Sequence, residues 1–283
     1  MDMKMDVLTN DDIRGIIMLS ASVGWDYDEH EVSTVMASGK VIGHRNEQGH
    51  LVSCGAVIPY GDRLASIGMI IVHPAYQGKG LGREVTESCL QSISTSTTVM
   101  LIATAEGKPM YEGMGFQVVE SVHKYIRNKD SSRHSNEKLE KRIVPMKAED
   151  MAQVIEIDKG AFGENRATFL KNRIKQAKEA VVVKSEDGKI IGYSLSILGP
   201  VNLIIGPIVA PSKEWATRLI DRLALNHHGN VRIDVPKGHP ELMVYLERVG
   251  FEKVSEPPVM VKNTTKLPKR NHTLFGIAAQ VFG

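Results

Sequence analysis

The chain has 283 residues, 42% hydrophobic and 24% charged, the balance of an ordinary globular protein and not of a disordered, fibrous or disulfide-scaffold chain. Thirty-five basic and 33 acidic side chains leave a formal charge of +2, so nothing in the overall charge draws it to nucleic acid or to a membrane, and neither is expected as a partner. At about 100–200 residues per domain, two domains are expected.

The chain starts Met1-Asp2-Met3-Lys4-Met5-Asp6, without the basic and apolar regions of a signal peptide, and no apolar run nears the ~20 residues of a membrane span. In chain order, Thr9 and Asp12 offer a cap for an amphipathic helix with Ile13, Ile16 and Ile17 on one face. A hairpin turning at Gly49 follows, then a buried strand at residues 67–72. Next comes a helix with Leu81, Val85, Cys89 and Ile93 at i, i+4 spacing, then a second apolar strand at 99–103, a short helix and a closing strand. Cys54 and Cys89 are the only cysteines. They lack CxxC or His-pair spacing, so they read as buried apolar residues in a reducing cytoplasm, with no metal site expected.

Residues 128–142 carry one aliphatic side chain, Leu139, and read as a solvated linker between a domain at 1–127 and another at 143–283. The second half repeats the order of the first: a helix with Met151, Val154 and Ile155, a hairpin at Gly188, and a strand at 203–209. A helix with Trp215, Leu219 and Leu223 follows, then a strand at 231–235. Gly49 matches Gly188 at an offset of 139, Val72-His73-Pro74 matches Val209-Ala210-Pro211 at 137, and Gly115-Phe116 matches Gly250-Phe251 at 135. Three landmarks in one order at nearly constant offset indicate an internal duplication. The fold class is α/β with a mixed sheet. The end of the chain, with the apolar run at residues 274–279, reads as a final helix or strand packed across the domains.

The chemistry lies in Ile70-Ile71-Val72-His73-Pro74-Ala75-Tyr76-Gln77-Gly78-Lys79-Gly80-Leu81-Gly82-Arg83. A strand ends, and a loop with three glycines runs into a helix. Glycines let successive N–H groups face one concavity, and the helix start adds unpaired donors and a positive dipole end. The result is a pyrophosphate cradle, supported by the charges of Lys79 and Arg83. A Walker A loop would need Gly-Lys-Ser/Thr, and a Rossmann loop would need glycine where Arg83 stands.

The spacing Gln77-x-x-Gly80-x-Gly82 resembles the Gln/Arg-x-x-Gly-x-Gly/Ala motif of the GNAT superfamily of N-acetyltransferases. The match extends to Tyr111-Glu112-Gly113-Met114-Gly115-Phe116, similar to that family's Tyr-x-x-x-Gly-Phe. The resemblance implies two tandem acyltransferase domains, with acetyl-CoA held by residues 77–83: Gln77, Gly78, Lys79, Gly80, Leu81, Gly82 and Arg83. It also implies backbone contacts to the pantetheine arm from Ile70, Ile71 and Val72, a contact near Thr104, and Tyr111 as the general acid for the thiolate.

In the second half Lys213-Glu214-Trp215-Ala216-Thr217-Arg218-Leu219 replaces the glycine loop, and Tyr245 is one residue out of register with Tyr111. That half, whose Gly206-Pro207-Ile208-Val209-Ala210-Pro211 resembles the C-terminal domain of YitH-like tandem members of the superfamily, is read as a degenerate copy with side chains in the cradle. The implied reaction is direct acetyl transfer to a small-molecule amine, with a strand N–H near Val72 polarising the thioester. Trp25, Asp26 and Tyr27, two aromatics beside acids, suit a cationic acceptor. Glu29, Glu31, Glu106 and His73 are candidate bases. A non-catalytic acyl-CoA sensor is the alternative, and a homodimer remains open.

Overall fold

In a computed structural model, residues 3–128 and 141–283 are described; the linker expected at 128–142 therefore lies, but for its ends, outside the described residues. The first half runs β1 (Lys4–Val7), α1 (Ile13–Ser22), α2 (Glu29–Ser38), β2 (Lys40–Arg45), β3 (Leu51–Tyr60), β4 (Leu64–Val72), α3 (Leu81–Gln91), β5 (Thr98–Ile102), α4 (Lys108–Gly113) and β6 (Gln117–Arg127). The second runs β7 (Ile143–Pro145), α5 (Met151–Phe162), α6 (Ala167–Gln176), β8 (Glu179–Lys184), β9 (Ile190–Leu198), β10 (Asn202–Val209), α7 (Lys213–Ala224), β11 (Asn230–Pro236), α8 (Pro240–Arg248), β12 (Glu252–Ser255), β13 (Pro258–Lys262) and β14 (Leu274–Gly276). The mixed α/β class is as expected.

The duplication reaches into local geometry. Asp12 accepts a hydrogen bond from the Thr9 N–H at the entry to α1, and Asp150 accepts one from Lys147 N–H at the entry to α5, both at 2.8 Å. In β4, Met69 and Ile70 together face Gly55 of β3; in β10, Gly206 and Pro207 together face Leu195 of β9. These are β-bulges, two residues opposite one, at equivalent places. Met69 adopts a φ of 54° there.

Three expectations are corrected. Each half opens with a strand, not a helix: β1 pairs with β2, and β7 with β8. Each half has a second helix, α2 or α6, before its first hairpin. In α2 the β-branched Val32, Thr34 and Val35 are weak helix formers, but Asp28 caps the start by accepting from Glu31 N–H at 2.8 Å. Val32 and Val35 are then fully buried against the sheet. Finally, the closing strands do not stay with their own halves. The sheet order is β1-β2-β3-β4-β5-β13-β6-β11-β10-β9-β8-β7. Strand β13, from the second half, lies between β5 and β6, and β6 also pairs with β11.

Strand β6 is thus shared. Its first residues pair with β13, while residues 122–127 pair with β11. Val259, Met260 and Val261 of β13 are at most 2% exposed, so the second half supplies core to the first. Lys262, at the end of β13, donates to the Met114 carbonyl at 2.6 Å, a cation at the C-terminal end of α4.

A second tie crosses between α2 and α6. The Arg173 side chain, with no exposure, pairs with Glu31 of α2 and donates to the Ala278 carbonyl at 3.0 Å. Gln176 donates to the same Glu31 carboxylate at 2.8 Å. After β14 the chain runs on as buried residues: Tyr60 hydroxyl donates to Phe282 carbonyl at 2.7 Å and Ser66 hydroxyl to Val281 carbonyl at 2.8 Å. The expected final segment packed across both halves is present.

A fragment of residues 1–128 leaves the edges of β5 and β6 without β13. It is expected to aggregate or lack a cooperative melt, and circular dichroism with light scattering checks this. Arg173→Ala strips the counter-charge from a largely buried Glu31 and is expected to cost about 3–5 kcal/mol of stability, read as a lowered urea midpoint in the full chain.

Candidate functional site

Strands β4 and β5 run parallel but pair only over residues 64–66 and 98–100. Beyond Ser66 they diverge as a fork, and among the described residues no strand pairs with the β5-facing edge of residues 67–72. The far side of β5 is held by β13. Ile70, Ile71 and Val72 lie along this edge. Ile71 is buried on the face toward α1 and α2, while Ile70 and Val72 lie beneath α3.

At the end of the fork sits the glycine loop. Gly78 and Gly80 adopt φ of 75° and 88°, left-handed conformations that cost an L side chain ~1–2 kcal/mol. Gly80 is the N-cap of α3, and Leu81 begins it. The first loop-to-helix backbone bond is Glu84 N–H to Gly80 carbonyl, so the N–H groups of Leu81, Gly82 and Arg83 have no backbone acceptor among the described residues, as at every helix start. Space above Gly78 is open, and a Cβ on Gly82 would sit 3.5 Å from both Val72 Cγ2 and Met110 Sδ. The loop therefore lies directly on the end of β4 and beside α4. Gln77 braces it, donating from Nε2 to the Val72 carbonyl at 3.2 Å. Lys79 lies over the Tyr76 ring at 4.8 Å, and Arg83 pairs with Glu87 one turn on at 2.8 Å. These residues fit a pyrophosphate held mainly by backbone donors.

Thr104, just past β5, accepts from Gly107 N–H at 3.1 Å and so starts α4. Tyr111 on α4 is 7% exposed and edge-on to Phe116 at 5.8 Å. Burial, with the Cys89 thiol nearby, pushes its phenol well above the usual tyrosine range, so it holds its proton throughout the neutral range.

The fork opens into a cavity of about 230 Å³, smaller than the ~300–1,000 Å³ typical of pockets for drug-sized ligands. Gly68, Met69, Ile102 and Thr104 line it at the fork. Trp25, Asp26 and Tyr27 line it from the loop before α2, the two rings 6.2 Å apart. Of the four candidate bases only Glu31 reaches it, and Glu31 is held by Arg173 and Gln176. His73 is turned to its own loop, accepting from Ala75 N–H at 3.2 Å. No sequence signal marks the opposite wall: Lys124 of β6, Asn202 and Arg232 of the second half, and Gln280 of the final segment. None carries a motif, and only the interleaved sheet brings them beside Thr104.

The second half has the same fork. Strands β10 and β11 pair at residues 202–204 and 230–232, then part. Here β14 fills the opening: Ile208 and Val209 pair with Gly276 and Leu274, and Ile277 N–H donates to the Asp234 carbonyl at 2.9 Å. A Cβ on Gly206 would lie 2.1 Å from the Ile277 carbonyl oxygen, which shows how closely the segment is seated. Backbone therefore blocks this fork, in addition to the side chains that stand in place of the glycine loop at the start of α7. The Trp215 indole is flanked by the guanidinium groups of Arg142 and Arg218 at 4.5 and 5.0 Å. Tyr245 donates to Asp221 at 2.6 Å. Pro207 in the bulge removes an N–H that Ile70 supplies in the first half.

Family models for an acetyltransferase (GNAT) domain match residues 26–129 and 154–276. The Bacillus subtilis protein YitH, an uncharacterized N-acetyltransferase, is 35% identical over 98% of this chain and 97% of its own. A Pyrococcus horikoshii structure, named only as a candidate acetyltransferase, shares the fold over 99% of this chain and 96% of its own, at a TM-score of 0.82 and 21% identity. Saccharomyces cerevisiae N-myristoyltransferase with bound myristoyl-CoA shares it over 94% and 84%, at a TM-score of 0.66 and 14% identity. With identity to YitH over nearly its whole length and a GNAT match in each half, the chain belongs to the GNAT superfamily of N-acetyltransferases and carries two such domains in tandem.

Proposed function

We propose that the protein transfers an acetyl group from acetyl-CoA to the primary amine of a small molecule in the cytoplasm, with one coenzyme site, in the first half. The observation that carries this reading is the fork between β4 and β5, which runs from the glycine loop at residues 77–83 to the cavity at Thr104. The same fork in the second half is taken by β14. An acyl-CoA ligand also suits the fold, since the yeast N-myristoyltransferase of like fold holds myristoyl-CoA.

Acetyl-CoA, when bound, supplies a thioester carbonyl open to an amine. The chain's own residues do the rest. The N–H groups of Leu81, Gly82 and Arg83 hold pyrophosphate oxygens at the positive end of α3. The unpaired edge of Ile70, Ile71 and Val72 holds the pantetheine amides as a neighbouring strand would. A strand N–H near Val72, on the unpaired edge of β4, polarises the carbonyl. Tyr111 keeps a proton ready for the departing thiolate. Trp25, Asp26 and Tyr27 bound the acceptor's side of the cavity, whose small volume suits a small molecule. Cys54 and Cys89, both buried and unpaired, are in keeping with a reducing compartment.

Calorimetric titration with acetyl-CoA is expected to show one site per chain, lost in Gly80→Trp, which strains a left-handed position and places an indole in the concavity. Two sites per chain would contradict the reading of the second half. Tyr111→Phe is expected to keep acetyl-CoA affinity within about twofold while kcat falls on the order of 10²–10⁴-fold. Unchanged turnover would remove Tyr111 from the acid role.

A further inference from the structure

The cavity wall formed by β6 and β11 carries charge that the reaction itself does not need. Lys124 faces Asp234 across the two strands, and Ile126 faces Arg232. Side chains alternate along a strand, so Lys124, Arg232 and Asp234 share one face. Asp234 is committed to Arg232, which reaches it through both Nε at 3.2 Å and Nη2 at 2.7 Å. Lys124, half-buried and lining the cavity, has no carboxylate within ion-pair distance among the described residues. Burial and the neighbouring Arg232 cation hold its ammonium below the usual lysine range, against the opposing pull of Asp234 and Asp26.

The anions of the cavity are distributed differently. Asp28 is spent on capping α2 and Glu31 on Arg173 and Gln176. Asp26, exposed in the loop before α2, makes no hydrogen bond or ion pair among the described residues. The cavity thus presents one uncommitted cation on the wall made by the interleaved sheet and one uncommitted anion on the wall made by the first half. A partly desolvated ammonium with no carboxylate in direct contact is costly, and a ligand anion beside it offsets that cost.

We infer that the acceptor is a small amine that also bears an acid group, a carboxylate or a phosphate, and that Lys124 is the residue that selects it. The inference rests on the acetyltransferase reading above and narrows its substrate class. The acid group sits against Lys124 and the amino group lies toward Asp26 and the fork. Trp25 and Leu198, at the end of β9, add apolar surface to the cavity lining.

The test uses the full chain, acetyl-CoA and matched amine pairs that differ in the acid: leucine with leucinamide, phenylalanine with phenylalaninamide, and phosphoethanolamine with ethanolamine. Release of coenzyme A thiol gives kcat/KM for each. The acidic member of at least one pair is expected to exceed its partner roughly ten- to hundredfold, the effect of one charged hydrogen bond. The amino-acid and phosphate pairs tell the two acids apart. Lys124→Met, which keeps the apolar stem, is expected to erase the preference by raising KM for the acidic member, and Lys124→Arg to restore most of it. A merely structural lysine would lower turnover of both members alike and leave their ratio unchanged. The inference is overturned if amides and ethanolamine are used as well as or better than their acidic partners. It is equally overturned if Lys124→Met keeps the preference, or if a protein that binds acetyl-CoA acetylates no member of the panel. Absence of acetyl-CoA binding to the wild-type chain would instead overturn the acetyltransferase reading.

Discussion

Two parallel strands that part midway along a sheet leave two rows of backbone donors and acceptors without partners, inside a protein where such groups must be satisfied. That constraint governs this molecule. It occurs twice, at β4–β5 and at β10–β11, each time after three paired residues and each time beside a bulge. In the second half the chain answers it internally with β14. In the first half the edge faces a glycine loop on one side and a cavity on the other. The structural asymmetry between two similar halves lies in this one difference in backbone pairing.

The second half nevertheless builds the site. Strand β13 closes the first half's sheet and caps the helix that carries Tyr111 through Lys262. Arg173 holds α2, which follows the aromatic loop at Trp25 and Tyr27. The segment that leaves β14 passes Arg173 and reaches Gly68, where a Cβ would lie 2.9 Å from the Val281 Cα. One stretch of chain thus seals the second fork and then walls the cavity at the first. The stability of the second half and the shape of the cavity are coupled through it.

Loss of the glycines in the second half is consistent with this arrangement. With β14 seated in the fork, the residues that stand in place of the glycine loop carry side chains and form the first turns of α7. Leu219, Ile220 and Leu223 are buried on one face of α7, where they pack into the core of the second half. Tyr245 likewise ends in a part-buried hydrogen bond to Asp221 of α7, within the same half.

Much of this protein is legible in its residues alone. Hydrophobic spacing marks the main strands and helices, the constant offset marks the duplication, and Gln77-x-x-Gly80-x-Gly82 marks the loop, because these are local patterns set by backbone geometry over a few residues. The aromatic loop at Trp25 to Tyr27 does reach the cavity. Helix α2 is hidden because its β-branched residues argue weakly for helix, and tertiary burial of Val32 and Val35 overrides that preference. The exchange of closing strands, the plugging of the second fork and the placement of Lys124, Asn202, Arg232 and Gln280 opposite Thr104 leave no such local mark. Each depends on pairing between residues far apart in the chain. A strand's own sequence states that it is buried and which faces alternate, but not which neighbour will take up its hydrogen bonds; only the assembled sheet decides that.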